Sequence, residues 1–238
     1  MSSELAGGTV ILTRDAADNA LLAARLRREG AKVIELPCVH VEPLEDMRPL
    51  CDAVAALGES DWLVLTSRHG ADAVARCGPI RATVAVVGRA TAEQVRARGL
   101  RVDFEPTAAT GERLARELPD LGGVALLARS DRALPDLARI LRARGVAVRE
   151  VVAYRTVAEA RGDIDRVRAL LAARERPVVM FHSPSAVAGM LAAIDVALVR
   201  RASIQVGGRA TLRAVHDALG LDADVALIAV EAAHVAHR

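Results

Sequence analysis

The chain has 238 residues, a formal net charge of +2, 52% hydrophobic and 26% charged residues, and 2% aromatics. That length holds two small domains with separate cores, whereas a near-neutral charge and only Trp62, Phe104, Tyr154 and Phe181 as aromatics argue against a nucleic-acid backbone field or a base-stacking platform. No apolar run approaches the roughly 20 residues of a membrane span, and "MSSELAGGTV" lacks a basic start before an apolar stretch, so the expectation is a cytoplasmic protein with neither membrane nor nucleic-acid partner.

In chain order, ten runs read as strands: "TVILTR" from Thr9, "AKVIELP" from Ala31, "DWLVLTS" from Asp61, "ATVAVVG" from Ala82, "LRVDFEP" from Leu100, "VALLARS" from Val124, "VAVREVVAYRT" from Val146, "PVVMFHS" from Pro177, "ASIQVG" from Ala202 and "DVALIAV" from Asp224. They are continuously apolar rather than alternating, as expected of parallel strands covered on both faces, and helical segments separate nearly every pair. Asp18 or Asn19 can cap a helix that carries Leu22 and Leu26 and stops at Gly30; Leu134, Leu137 and Leu141 stripe another that stops at Gly145. Thr91 with Gln94 reads as a capping box, and Ser183 before Pro184 as a capped helix start. Such strand-to-helix turns present backbone N–H groups at a positive dipole end, which suits anions.

The cysteines Cys38, Cys51 and Cys77 are too widely spaced for a CxxC pair, and their odd number argues against a disulfide framework, so they read as reduced small hydrophobes. No HExxH occurs, and His234 with His237 lacks a carboxylate or cysteine companion, which reads as a solvated tail rather than a metal site. Lys32 is the only lysine; the abundance of arginine fits either bidentate carboxylate binding or genome composition.

The sequence repeats itself. "VILTRDAADNALLAARLRREGAKVIEL" from Val10 parallels "ALLARSDRALPDLARILRARGVAVREV" from Ala125, "WLVLTSRHGADAV" from Trp62 parallels "VVMFHSPSAVAGM" from Val178, and "VVGRATAEQVRARG" parallels "VGGRATLRAVHDALG". The offsets, 115, 116 and 120 residues, describe a duplicated half. Pro37 to Asp46 and Val151 to Asp163 read as two crossings between domains. The expected division is residues 1–37 and 157–238 as a discontinuous domain one, 42–150 as an inserted domain two, and 38–41 and 151–156 as linkers. Five strands per domain is the flavodoxin-like, doubly wound parallel α/β count, with ligands beyond the carboxyl ends of the strands. Those ends gather hydroxyls, arginines and helix starts in a cleft suited to a large ligand with several anionic groups.

In order and spacing, "ILTR", "VLTSRHGADAV", "VVGRATAEQVRARG", "LLARSDRALPDLARILRARGVAVREVVAYRT", "MFHSPSAVAGM" and "VGGRATLRAVHDALG" make the chain resemble the uroporphyrinogen-III synthase family. The resemblance covers nearly the whole chain and implies two flavodoxin-like domains joined by a two-stranded linker, with the active site in the cleft. It implies cyclisation of the linear tetrapyrrole hydroxymethylbilane to uroporphyrinogen III with inversion of ring D, without metal or organic cofactor.

By the same resemblance Tyr154 is the catalytic candidate, its phenol helping the substrate hydroxyl leave as water. Thr91 and Thr211 are candidate substrate-binding residues, and N-capping is their plain structural alternative. Arg14, Arg68 and Arg129 are candidate carboxylate partners, with Arg89 and Arg209 behind them; Arg14 and Arg129 share one position in the repeat. Ser67, His182, Ser183 and Ser185 complete the binding set. The chain departs from the family pattern at His182, where a threonine is common, at His69 and Gly70 within "TSRHGADAV", and in the ending "EAAHVAHR". A non-catalytic receptor or sensor for a tetrapyrrole or another polyanionic small molecule is the rival reading. The expected assembly is a monomer, because a large product must leave through hinge opening.

Overall fold

The computed structural model describes residues 7–120, 122–173, 175–220 and 225–227. In chain order the elements are β1 (Thr9–Leu12), α1 (Ala16–Arg28), β2 (Lys32–Glu35), β3 (His40–Glu42), α2 (Arg48–Ala55), β4 (Trp62–Leu65), α3 (Arg68–Val74), β5 (Thr83–Val86), α4 (Arg89–Ala97) and α5 (Gly111–Glu117). There follow β6 (Val124–Ser130), α6 (Asp136–Ala143), β7 (Ala147–Val157), α7 (Ile164–Ala172), β8 (Val178–Phe181), α8 (Pro184–Ala193), α9 (Val196–Val199), β9 (Ser203–Val206), α10 (Arg209–Leu219) and β10 (Val225–Leu227). Described residues of 7–40 and 156–227 form one compact unit, unit 1, and 41–155 form unit 2. No helix among the described residues is long and apolar enough to cross a membrane.

Unit 1 holds a five-stranded sheet in the order β10-β9-β8-β1-β2, with parallel registers such as Ile11 opposite both Ile34 and Val179. This is the doubly wound order, in which the chain starts in the middle and winds outward both ways. Each apolar strand has two buried faces, which is why its residues run on without polar alternation. Ile11, Val179, Phe181, Ile204 and Val206 share a core with residues of α7, α8 and α10, whereas Val10, Leu12 and Met180 meet Ala23 and Leu26 of α1.

Unit 2 orders its strands β3-β7-β6-β4-β5. Leu63, Leu65, Leu126 and Ala128 pack toward α2, α3 and α4, while Val64, Ala85 and Leu127 face Leu114 of α5 and Leu137 and Leu141 of α6. Truncating the fully buried Leu126 to alanine would cost about 2–5 kcal/mol through lost transfer energy and the cavity left behind. The repeat in the sequence maps onto these sheets: β2-β1-β8-β9 of unit 1 has the order of β7-β6-β4-β5 in unit 2.

The expected strand at Leu100–Pro106 is absent. Only an isolated bridge between Ala85 and Phe104 forms there, because Arg101, Asp103 and Glu105 put charge at alternate positions of the edge and Pro106 ends it. The fifth strand of unit 2 is instead β3, in a segment read as linker, and β7 continues unbroken through Val151 to Thr156.

Several local readings change for identifiable reasons. Asp15, not Asp18 or Asn19, caps α1, its carboxylate accepting from Ala17 N at 3.0 Å; Asn19 is fully buried and donates from Nδ2 to the Arg14 carbonyl. Leu134 is 49% exposed because Pro135 delays the start of α6, leaving Leu137 and Leu141 as its buried stripe. Cys51 of α2 and Cys77 beyond α3 are joined in a disulfide across 26 residues, against the reading of three reduced cysteines; sequence spacing could not show that two helices packed side by side bring them together. Cys38 is the buried free thiol, and burial pushes it up to about 12. The pair His234 and His237 and the ending "EAAHVAHR" lie outside the described residues.

Candidate active site

Tyr154, the only tyrosine, stands near the end of β7 just past a register shift. Arg129 of β6 pairs with Val152, but Ser130 pairs with Tyr154, so Ala153 is an extra residue. A bulge of this kind re-aims the side chain that follows it. As a result the consecutive residues Ala153 and Tyr154 both pack against the core shared with α2, α3 and α4.

Three groups surround the ring. Ser67 caps α3, its Oγ accepting from Gly70 N at 3.0 Å, and also hydrogen-bonds the phenol. His69 tilts against the ring, with centroids 5.5 Å apart and planes at 54°. Asp131 donates its backbone N–H to the Tyr154 carbonyl at 3.2 Å, and its charge also reaches the phenol. Burial raises the phenol above its ordinary value, Asp131 adds to this and the Ser67 bond opposes it, so the group keeps its proton through neutral pH. A cavity of about 200 Å³ opens beside the ring, with His69, Asp72 and Arg76 on one side and Val41, Pro43 and Met47 on another. Asp72 is fixed by Gln94 Nε2 at 2.5 Å and Arg98 Nε at 2.6 Å; burial works against its charge, but these bonds and the charges of Arg98 and His69 hold it below the usual carboxylate range.

The matching turn of unit 1 follows β8. Ser183 caps α8 by accepting from Ala186 N at 3.2 Å, Pro184 takes the first helical position as the sequence suggests, and Ser185 is half-buried beyond it. His182 sits before the cap with Nδ1 buried and unbonded, lowered to about 4 by burial first and then by the charge of Arg14, so its imidazole is neutral. Gly207 leaves room for it: a Cβ there would stand 3.1 Å from His182 Cδ2. Arg14, itself lowered by burial, pairs with Asp18 at 3.0 Å, and Thr13 donates from Oγ1 to the Met180 carbonyl at 2.7 Å.

The remaining candidates divide. Arg129 is 7% exposed inside β6, with Nη1 on the Leu134 carbonyl at 2.9 Å and Nη2 on Glu150, so its donors already serve the fold and it does not share the turn position of Arg14. Arg68 opens α3, half-buried; Arg89 is exposed and bonds Glu93 at 2.8 Å; Arg209 is exposed. Thr91 and Thr211 are not caps. The caps are Gly88 and Gly208, and the threonines lie inside the first turns of α4 and α10 at 4% and 3% exposure. Gln94, expected in a capping box with Thr91, serves Asp72 instead. Gly88 is a glycine for space, since a Cβ would meet that of Ala109 at 2.6 Å. The sequence reading missed His69 and Asp131 as neighbours of Tyr154; no short-range signal joins positions so far apart in the chain. Among the described residues no group of three or more His, Cys, Asp or Glu is placed to hold a metal.

The model of a protein family described as uroporphyrinogen-III synthase matches residues 20–228. The chain is 32% identical over 161 residues to the uroporphyrinogen-III synthase of Synechococcus elongatus, covering 63% of this chain and 61% of that protein. It is 32% identical over 196 residues to the chloroplastic uroporphyrinogen-III synthase of Oryza sativa, covering 76% and 63%. It thus spans less than two thirds of the length of these curated relatives. The fold is that of a crystallised uroporphyrinogen III synthase mutant from Thermus thermophilus, with TM-score 0.60, 21% identity and 94% and 93% of the two chains covered. The Helicobacter pylori uroporphyrinogen-III synthetase gives TM-score 0.54 at 16% identity over 92% of each chain. With its family model spanning all but the ends, the chain belongs to the uroporphyrinogen-III synthase family.

Proposed function

We propose that the chain is a uroporphyrinogen-III synthase, converting hydroxymethylbilane to uroporphyrinogen III with loss of water. The observation that carries this beyond family membership is the Tyr154 phenol: protonated, bonded by Ser67 and beside an open cavity. As general acid it gives its proton to the departing hydroxyl of the ring A hydroxymethyl group. Water leaves and an azafulvene remains. The substituted α-carbon of ring D then attacks the exocyclic carbon to form a spiro-pyrrolenine. Breakage of the bond from that spiro centre to ring C and reclosure at the free α-carbon of ring D invert that ring, and loss of the α-proton restores the aromatic pyrrole.

A well-placed general acid contributes roughly 10²–10⁴-fold. The rest of the task is conformational, holding ring D so that the spiro route outruns direct closure to the symmetric I isomer. For that task we assign Ser67 and Arg68 in unit 2 and Arg14, His182, Ser183 and Ser185 in unit 1 to the acetate and propionate groups of the substrate. Thr91 and Thr211 shape the two GRAT turns from inside. Arg129 stays in the set only through its ion pair with Glu150, as a support for the β6 end. The same reading makes the protein a cytoplasmic monomer that needs no cofactor; light scattering that returns a stable dimer would overturn the monomer.

The test is a coupled assay in which hydroxymethylbilane is generated in situ, the protein is added, and the oxidised I and III isomers are separated by chromatography. Dominant III isomer establishes the synthase. If the folded protein leaves only the I isomer, the catalytic reading fails and the sensor reading takes its place.

A further inference from the structure

Nothing in the reaction itself asks for an imidazole at His69. Its surroundings give it a task. The ring of His69 lies 5.5 Å from that of Tyr154, on the helix whose cap, Ser67, holds the phenol oxygen. One turn later on the same helix, Asp72 is clamped from α4 by Gln94 and from beyond α4 by Arg98. Helix α3 is thereby tied to α4, and His69 is carried on a backbone that has little freedom to shift.

We infer that His69 is a positioning residue for the Tyr154 phenol, its ring walling one face of the tyrosine so that, with Ser67 at the oxygen, the phenol has one orientation toward the cavity. Tyr154 needs such a wall. It follows a bulge, where the ladder no longer dictates side-chain direction, and a tyrosine free to rotate about its first side-chain torsion would present its proton in the wrong place for much of the time. The inference rests on the proposed role of Tyr154, but its physical content does not require turnover.

Because Tyr154 is the only tyrosine, its ionisation can be read directly by near-ultraviolet absorbance titration of the whole protein. The charged and titratable groups about the phenol are Asp131 after β6, His69, Asp72 and Arg76 on or just beyond α3, and none from Val41, Pro43 or Met47 on the opposite wall. Removing the wall admits water to the ring. His69→Ala is therefore expected to lower the titration midpoint toward the ordinary tyrosine value and to lower kcat for the III isomer by about tenfold, with KM nearly unchanged. His69→Phe, which restores a ring face without a proton to exchange, should recover both. Should His69→Ala fold poorly, His69→Ser, short and polar, carries the same expectation.

An unaltered midpoint and unaltered kcat in His69→Ala would overturn the inference. So would a His69→Phe variant as defective as His69→Ala, since the wall would then not be what matters. If the parent protein makes no III isomer while the midpoint still moves as described, the positioning of the phenol stands and the synthase reading falls.

Discussion

Two turns built on one plan do different electrostatic work. After β4, Ser67 caps α3; after β8, Ser183 caps α8; both accept an N–H three residues on. Beside the first stands a phenol raised by burial, and beside the second an imidazole lowered by burial and by Arg14. Desolvation disfavours charge in each case, yet it leaves a proton on one group and removes it from the other. The cap is common to both halves, and the residue buried next to it decides whether the turn holds a protonated phenol or a neutral imidazole beside a cation.

The largest effect expected follows from removing the donor. Tyr154→Phe should cost roughly 100-fold or more in kcat for the III isomer while the I isomer continues to form without enzyme. Comparable loss in His182→Thr would break the contrast, because unit 1 would then be supplying the chemistry too. For pH, a raised phenol means the donor is present throughout the neutral range, and activity should fall only where the solution passes the raised value.

Next in size is the disulfide, which belongs to unit 2 alone among the described residues. It closes a loop over 26 residues, and constraint of the unfolded chain by such a loop is worth about 3 kcal/mol. Melting with and without reductant should show a transition that moves down in the parent and stays fixed in Cys51→Ser. A parent insensitive to reductant would mean that the bond does not form in solution.

His182 comes third. Its folded value, about 4, lies below the ordinary imidazole value of 6.5, so between those two the unfolded chain binds the proton and the folded chain does not. Stability is therefore lost as the pH falls through that window, by at most about 3 kcal/mol. Chemical denaturation at pH 7 and pH 4 should show a smaller drop for His182→Thr than for the parent. Equal drops would place the imidazole in water.

How far the sequence carried this picture depended on distance along the chain. The cap at Ser183 was legible because a serine at a strand end needs only its next three residues, whereas Ser67, read only as a binding residue, was found to cap α3. The duplication was legible through the repeat, and Tyr154 was singled out through its place in a family pattern. What failed was non-local. Arg129 looked like Arg14 by offset, yet its partner Glu150 sits on β7, and only the register of β6 against β7 brings them together. His69 meets Tyr154 for a similar reason, after a bulge that no local pattern announces. The segment from Leu100 had the composition of a strand but the wrong neighbours, because β5 is the last strand on that side of the sheet and a single bridge is all its edge supports.

The smallest effects separate capping from positioning. Ser67→Ala and Ser183→Ala each remove one side-chain acceptor from a helix start and should each destabilise by about 1 kcal/mol, a pair of nearly equal shifts in denaturation midpoint. Only one of them touches the phenol. Ser67 pulls the ionisation of Tyr154 down against the larger effect of burial, so its loss should move the tyrosine titration still higher, whereas Ser183→Ala should leave that titration where it is. If both variants moved it, the signal would be tracking general loosening rather than a bond. If neither did, the hydroxyl of Ser67 would be spent on its cap alone, and His69 would be left as the group that orients the phenol.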